Sequence, residues 1–72
     1  MGEPWLNLVV EAAGEGGVAE PDAVERLHAR LRVRADYLEI RNDFLRGHSE
    51  RGREALKSRL VRLIRAMTAI RG

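Results

Sequence analysis

Between Pro21 and Arg46 the sequence PDAVERLHARLRVRADYLEIRNDFLR carries two apolar faces where a surface helix ordinarily carries one. At about 100° per residue, Val24, Leu27, Leu31, Ala35, Leu38 and Leu45 fall on one side. Val33, Tyr37, Ile40 and Phe44 fall on the opposite side, at spacings of four, three and four. Glu25, Asp36, Glu39 and Asp43 share one flank, interrupted by Arg32, while Arg30, Arg34, Arg41 and Arg46 share the other. An amphipathic helix hides one stripe and shows water the rest. Read as one helix over 21–46, the segment therefore needs a second cover for its last turns. Leaving the second stripe in water would forgo ~1.5–3 kcal/mol for each large side chain. The cover is either the N-terminal segment folded back or another molecule, and a second subunit is the expected one.

Size sharpens that expectation. The chain has 72 residues and no cysteine, which places it near the lower limit for a self-sufficient core and excludes a disulfide staple or a thiolate metal site. Small unstapled chains often complete their core by oligomerising. Trp5, Tyr37 and Phe44 are the whole aromatic set, so the core must be aliphatic. No apolar run approaches the roughly 18 residues of a bilayer span. Glu3 without a basic stretch is unlike a secretory leader, and a cytoplasmic protein is expected.

Along the chain, residues 1–13 are expected to form a short helix. Pro4 suits a first turn, and Trp5, Leu8, Val9 and Ala12 share a face; LNLVV read as a strand would have no partner strand. Residues 14–20 form a glycine-rich connector. Asp22 and Glu25 have the spacing of a capping box at the head of the long helix 21–46. Gly47 suits the left-handed position after its end, and Ser49 then caps a second long helix over 49–71. Leu56, Leu60, Leu63, Met67 and Ile70 make its stripe, widened by Ile64. The short Gly47-His48 turn predicts antiparallel long helices, with Leu27, Leu31, Leu38 and Leu45 facing Leu56, Leu60, Leu63 and Met67. The fold class is all-α: one domain with a short N-terminal helix and an antiparallel helical hairpin, paired into a dimeric four-helix-type bundle.

Candidate chemistry is thin. Glu25 and His28 have the E-x-x-H spacing of di-iron bundles, but Glu25 already has a capping role and no second set of inward glutamates accompanies them. Gly14-Glu15-Gly16-Gly17 lacks the Lys-Ser/Thr and the preceding strand of a phosphate loop. His48, Ser49 and Glu50 lie on one turn, whereas a nucleophilic triad needs side chains held by separate rigid elements. Asp36, Glu39 and Asp43 read as a salt-bridged flank rather than a cation site. No catalytic, cofactor or metal residue is assigned, and an enzyme is not expected.

Charge suggests partners instead. Net charge is +2, yet residues 1–20 hold four acids and no base, while residues 49–72 hold seven bases and two acids. The acidic head of one chain could meet the basic tail of another. Arg51, Arg59, Arg62 and Arg65 line the side of the last helix away from its apolar stripe, a solvated face or a track for phosphates. Few aromatics argue against single-strand stacking and leave duplex backbones as the nucleic-acid target. Val10-Glu11-Ala12-Ala13 before a loop, then Leu27-His28-Ala29 early in a long helix, is faintly similar to the nodavirus type of helical, double-stranded-RNA-binding silencing suppressor. The similarity covers about half of the chain, carries no diagnostic motif and implies a duplex-RNA-binding dimer. The acidic flank at Asp36, Glu39 and Asp43 departs from what such a helix should show. The expected function is a non-enzymatic binding module, an adaptor or regulator. It would self-associate and engage a protein through Val33, Tyr37, Ile40, Phe44 and Trp5. Duplex nucleic acid held by the arginine stripe is the alternative.

Overall fold

The computed structural model of the chain describes residues 4–47 and 50–69. Among them are four helices and no strand: α1 Pro4–Glu15, α2 Pro21–Leu31, α3 Ala35–Leu45 and α4 Glu50–Ala69. The all-α reading holds. His48, the expected Ser49 cap and Ile70 lie outside the described residues.

The single helix expected over 21–46 does not form. α2 ends at Leu31, and Arg34 takes an extended conformation (φ −95°, ψ 135°) before α3 begins. Neither proline nor glycine marks the break; its cause is the conflict between two apolar faces. In an unbroken helix Leu31 and Tyr37, six positions apart, point about 120° away from one another, so a single apolar stripe of about 100° does not centre both on one core. Breaking the rod re-aims α3. Leu27, Leu31, Tyr37 and Ile40 are then all buried together, with Phe44 packed against them.

Magnitudes favour the break. It forfeits at most about four intrahelical hydrogen bonds, worth roughly 0.5–1.5 kcal/mol each net, and part is regained where the Arg34 amide donates to the Leu31 carbonyl at 2.9 Å. Burying Tyr37, Ile40 and Phe44 returns ~1.5–3 kcal/mol apiece. Two leucines expected to face α4 are turned out instead: Leu38 is 45% exposed and Leu45 59%. Val33, in the break itself, is 84% exposed.

The cover for the second stripe comes from the chain's own N-terminal helix. α1 buries Trp5, Leu8, Val9, Ala12 and Ala13, and the Trp5 ring stands 5.4 Å from Tyr37 and 5.3 Å from Phe44, centroid to centroid. α4 contributes Leu56, Leu60, Leu63, Ile64 and Met67. Its contacts with α1 advance in the same sense along both helices: Glu11 meets Arg53, Glu15 meets Lys57, and Gly16 lies beside Ile64. α3 packs on both α1 and α4, with Asp43 paired to Arg59 and Ile40 close to Leu63. Leu27 of α2 shares a small depression with Val18 and Thr68. In place of a hairpin of two long helices, α1, α3 and α4 pack on one another, with α3 antiparallel to α4, and α2 reaches the C-terminal end of α4 near Thr68.

Two termini follow local rules, one of them not the rule expected. α2 starts at Pro21, whose fixed φ suits a first turn, and its N-cap is Glu20, with no side-chain bond closing it. Asp22 therefore sits inside the first turn, where its charge favours the dipole, and the Asp22–Glu25 capping box is not formed. Gly47 has φ +90°, the left-handed conformation expected of it.

Candidate protein-docking surface

The residues proposed from sequence as an interface are mostly spent inside the monomer. Trp5, Tyr37 and Ile40 are buried, Phe44 is partly buried and Val33 stands alone in solvent. The Trp5 indole N–H donates to the Tyr37 hydroxyl at 2.8 Å, and His28 Nε2 lies 3.1 Å from that same oxygen. The stripe is thereby a core element with its polar atoms satisfied, and no buried side-chain nitrogen or oxygen among the described residues lacks a partner. Glu25 and His28 remain neighbours on α2, but the imidazole is engaged by Tyr37.

The exposed apolar surface lies elsewhere. With Trp5, Val9, Ala12 and Ala13 turned inward, Leu6 and Val10 project from the outer side of α1, one turn apart. Together with Ala19, Pro21 and Val24 they line a cleft of about 400 Å³ between α1 and α2, which Glu25 and His28 also border. A second depression of about 340 Å³ lies between α1 and α3, lined by Leu6, Leu38 and Tyr37 with Arg32, Arg41 and His28. Leu6 and His28 belong to both. The two depressions adjoin at Leu6 and His28 and together touch three helices, with a carboxylate beside one and two guanidiniums beside the other.

Compared with protein-family models, curated proteins and solved structures, the chain matches none.

The acidic head and basic tail meet within the chain. Arg53 grips Glu11 with both terminal guanidinium nitrogens, at 2.7 and 3.3 Å. Lys57 lies 2.8 Å from Glu15 and 3.4 Å from Glu54. The hydrogen bond from Arg53 holds the Glu11 carboxyl below the usual range, aided by the charges of Arg53 and Lys57. The bond to Glu15 raises the Lys57 ammonium above its ordinary value. This seam could have been read in advance: Glu11 and Glu15 on α1 have the same four-residue spacing as Arg53 and Lys57 on α4.

Arg51, Arg59, Arg62 and Arg65 are all exposed. Arg59 is paired with Asp43 at 2.9 Å, and Arg65 donates to the Glu15 carbonyl at 3.3 Å. Arg62 borders a depression that also holds Asp36 and Glu39. The acidic flank of α3 therefore lies beside the arginine stripe and competes with any phosphate for it. Leu6, Val10 and Leu38 were not assigned from sequence to a binding surface. For α1 the signal was present, since Leu6 and Val10 are four apart and outside the Trp5–Leu8–Val9–Ala12 face. For Leu38 it was hidden by the break.

Proposed function

We propose that this chain is a non-enzymatic helical binding module, an adaptor or regulator that self-associates and works by seating an amphipathic helix in the trough formed by Leu6, Val10, Val24 and Leu38. The observation that supports this is the exposure of those two adjoining apolar depressions on a chain of which 33% is charged. Helix-in-groove recognition uses such surfaces, reading apolar anchors at i, i+3 or i+4, and i+7. The test is selection of displayed helical peptides on the folded protein. Ligands with apolar residues at that spacing should emerge, and Leu6→Asp should abolish their binding while leaving helicity unchanged. Ligands that bind Leu6→Asp equally well, or no ligand for a chain that is monomeric, would remove this reading.

A second reading is a duplex nucleic-acid binder using Arg51, Arg59, Arg62 and Arg65, supported by the exposure of all four on one side of α4. It has the weaker support, because Asp43 already holds Arg59 and Asp36 and Glu39 sit beside Arg62. Binding to duplex RNA or DNA at low salt, weakening steeply as salt rises and lost on Arg62→Glu with Arg65→Glu, would establish it. No gel shift at low salt would dismiss it.

A further inference from the structure

We infer that the occupant of the trough is a second copy of this chain, set antiparallel about a two-fold axis beside Leu6. This rests on the trough being a docking surface and names what docks there. An isologous interface must be complementary to itself after a half-turn, and the charge layout of this one is. The α1–α2 end of the trough carries Glu25, the α1–α3 end carries Arg32 and Arg41, and Leu6 with His28 is common to both ends. A half-turn about the middle lays Glu25 of each copy against Arg32 and Arg41 of the other. A parallel placement would set carboxylate on carboxylate and guanidinium on guanidinium.

The same half-turn sets Leu6 of each copy beside Leu6 of its mate and brings Val10 and Val24 of each copy to the end where the other carries Leu38, so the projecting and receiving surfaces belong to one patch. The three charges are also free to do this. Glu11, Glu15, Asp36, Asp43 and Glu54 all have intrachain ion partners. Among the described residues, Glu25, Arg32 and Arg41 make none. At the rim of an apolar contact, such pairs select orientation and exclude wrong placements more than they add affinity.

The experiment is sedimentation equilibrium on the full chain and three samples derived from it. The wild type should sediment at twice its 8.1 kDa at micromolar concentration. Glu25→Arg alone sets like charges together in both symmetry-related contacts. So does Arg32→Glu with Arg41→Glu. Each variant should weaken association by roughly tenfold or more with its helical circular dichroism intact, since all three side chains are exposed or at the edge of solvent. Mixing the two variants in equal amounts should restore a heterodimer, because each contact then joins opposite charges again. A wild-type dimer indifferent to both variants, or a mixture that stays monomeric, overturns the inference. A wild-type monomer that still binds helical peptides through Leu6 overturns it too, and leaves the docking surface standing. A monomer that binds no peptide overturns both.

Discussion

The indole N–H of Trp5 donates to the hydroxyl of Tyr37 across 2.8 Å and 32 positions of sequence. The same hydroxyl lies 3.1 Å from His28 Nε2, so one phenol joins the start of α1, the second half of α2 and the first turn of α3. Each partner satisfies a polar atom that burial would otherwise leave orphaned. The tilted contact of the indole and phenol rings adds shape to the chemistry, and it fixes how α3 is aimed after the helix break.

Tyr37→Phe keeps the ring and removes the acceptor, stranding a buried indole N–H. The expected cost is ~1–3 kcal/mol, which for a chain of this size lowers the melting temperature by roughly 4–8 °C per kcal/mol. Urea unfolding followed by Trp5 fluorescence measures it directly. A loss below about 0.5 kcal/mol would mean that water reaches the indole nitrogen and that this bond does not orient α3.

The break between α2 and α3 makes a second, opposite pair of expectations. Ile40→Ala should cost ~2–5 kcal/mol, as buried aliphatic truncations do, because Ile40 is 3% exposed. Leu45→Glu should change stability by no more than about 0.5 kcal/mol. An unbroken helix packed through Leu38 and Leu45 would reverse the ranking of the two. Denaturant midpoints of both variants decide it.

Much of this architecture was legible because it follows from local periodicity. The helix-forming segments, the glycine after α3 and the inward faces of α1 and α4 all follow from spacing within one element. The break at Arg32–Arg34 did not, since no residue there is a helix breaker. Only the requirement that Leu31 and Tyr37 reach one core forces it, and that is a tertiary requirement. The same blindness displaced the candidate site. Val33, Tyr37, Ile40 and Phe44 formed the sharpest stripe on paper, yet with α3 re-aimed three of them turn inward and Leu38 turns out. Nothing in the spacing of Leu38 distinguishes a core leucine from a surface one until α3 is placed.

Two glycines of α1 and its connector should respond to alanine with opposite signs. A Cβ on Gly16 would lie 2.9 Å from Ile64 Cγ2 and 3.3 Å from the Ala12 carbonyl oxygen. Ile64 is fully buried and its β-branched side chain cannot swing aside, so Gly16→Ala should destabilise by ~1–3 kcal/mol through overpacking. A Cβ on Gly14 meets nothing within 4 Å, and Gly14 is helical. Gly14→Ala should therefore stabilise by ~0.5–1 kcal/mol. Thermal melts that move in the same direction for both would contradict the close approach of the α1 end to α4.

Stability should fall on both sides of a broad plateau in pH, and the ionic seam gives the sign of each limb. Arg53's hydrogen bond lowers the Glu11 carboxyl in the folded chain, and Arg34's bond lowers Asp36, with help from the amides of Asp36 and Tyr37. A carboxyl lowered on folding contributes fully above its ordinary value and loses that contribution as pH falls through its folded value. The acid limb should therefore open below about pH 4–5. Lys57 is raised by its bond to Glu15 and by the charges of Glu15 and Glu54. Its contribution is complete below the ordinary lysine value and disappears as pH rises through the higher folded value, so the alkaline limb opens above roughly pH 10. Glu11→Gln should make the acid limb shallower, leaving the share of Asp36, while Lys57→Met should flatten the alkaline limb and, because the Lys57 charge also lowers Glu11, weaken the acid one slightly. Because both pairs are open to water, about 1 M salt should shrink both limbs. Urea midpoints at intervals of pH, for wild type and both variants, test the assignment. An acid slope that Glu11→Gln leaves untouched would remove the α1–α4 seam from any account of how the N-terminal helix is held.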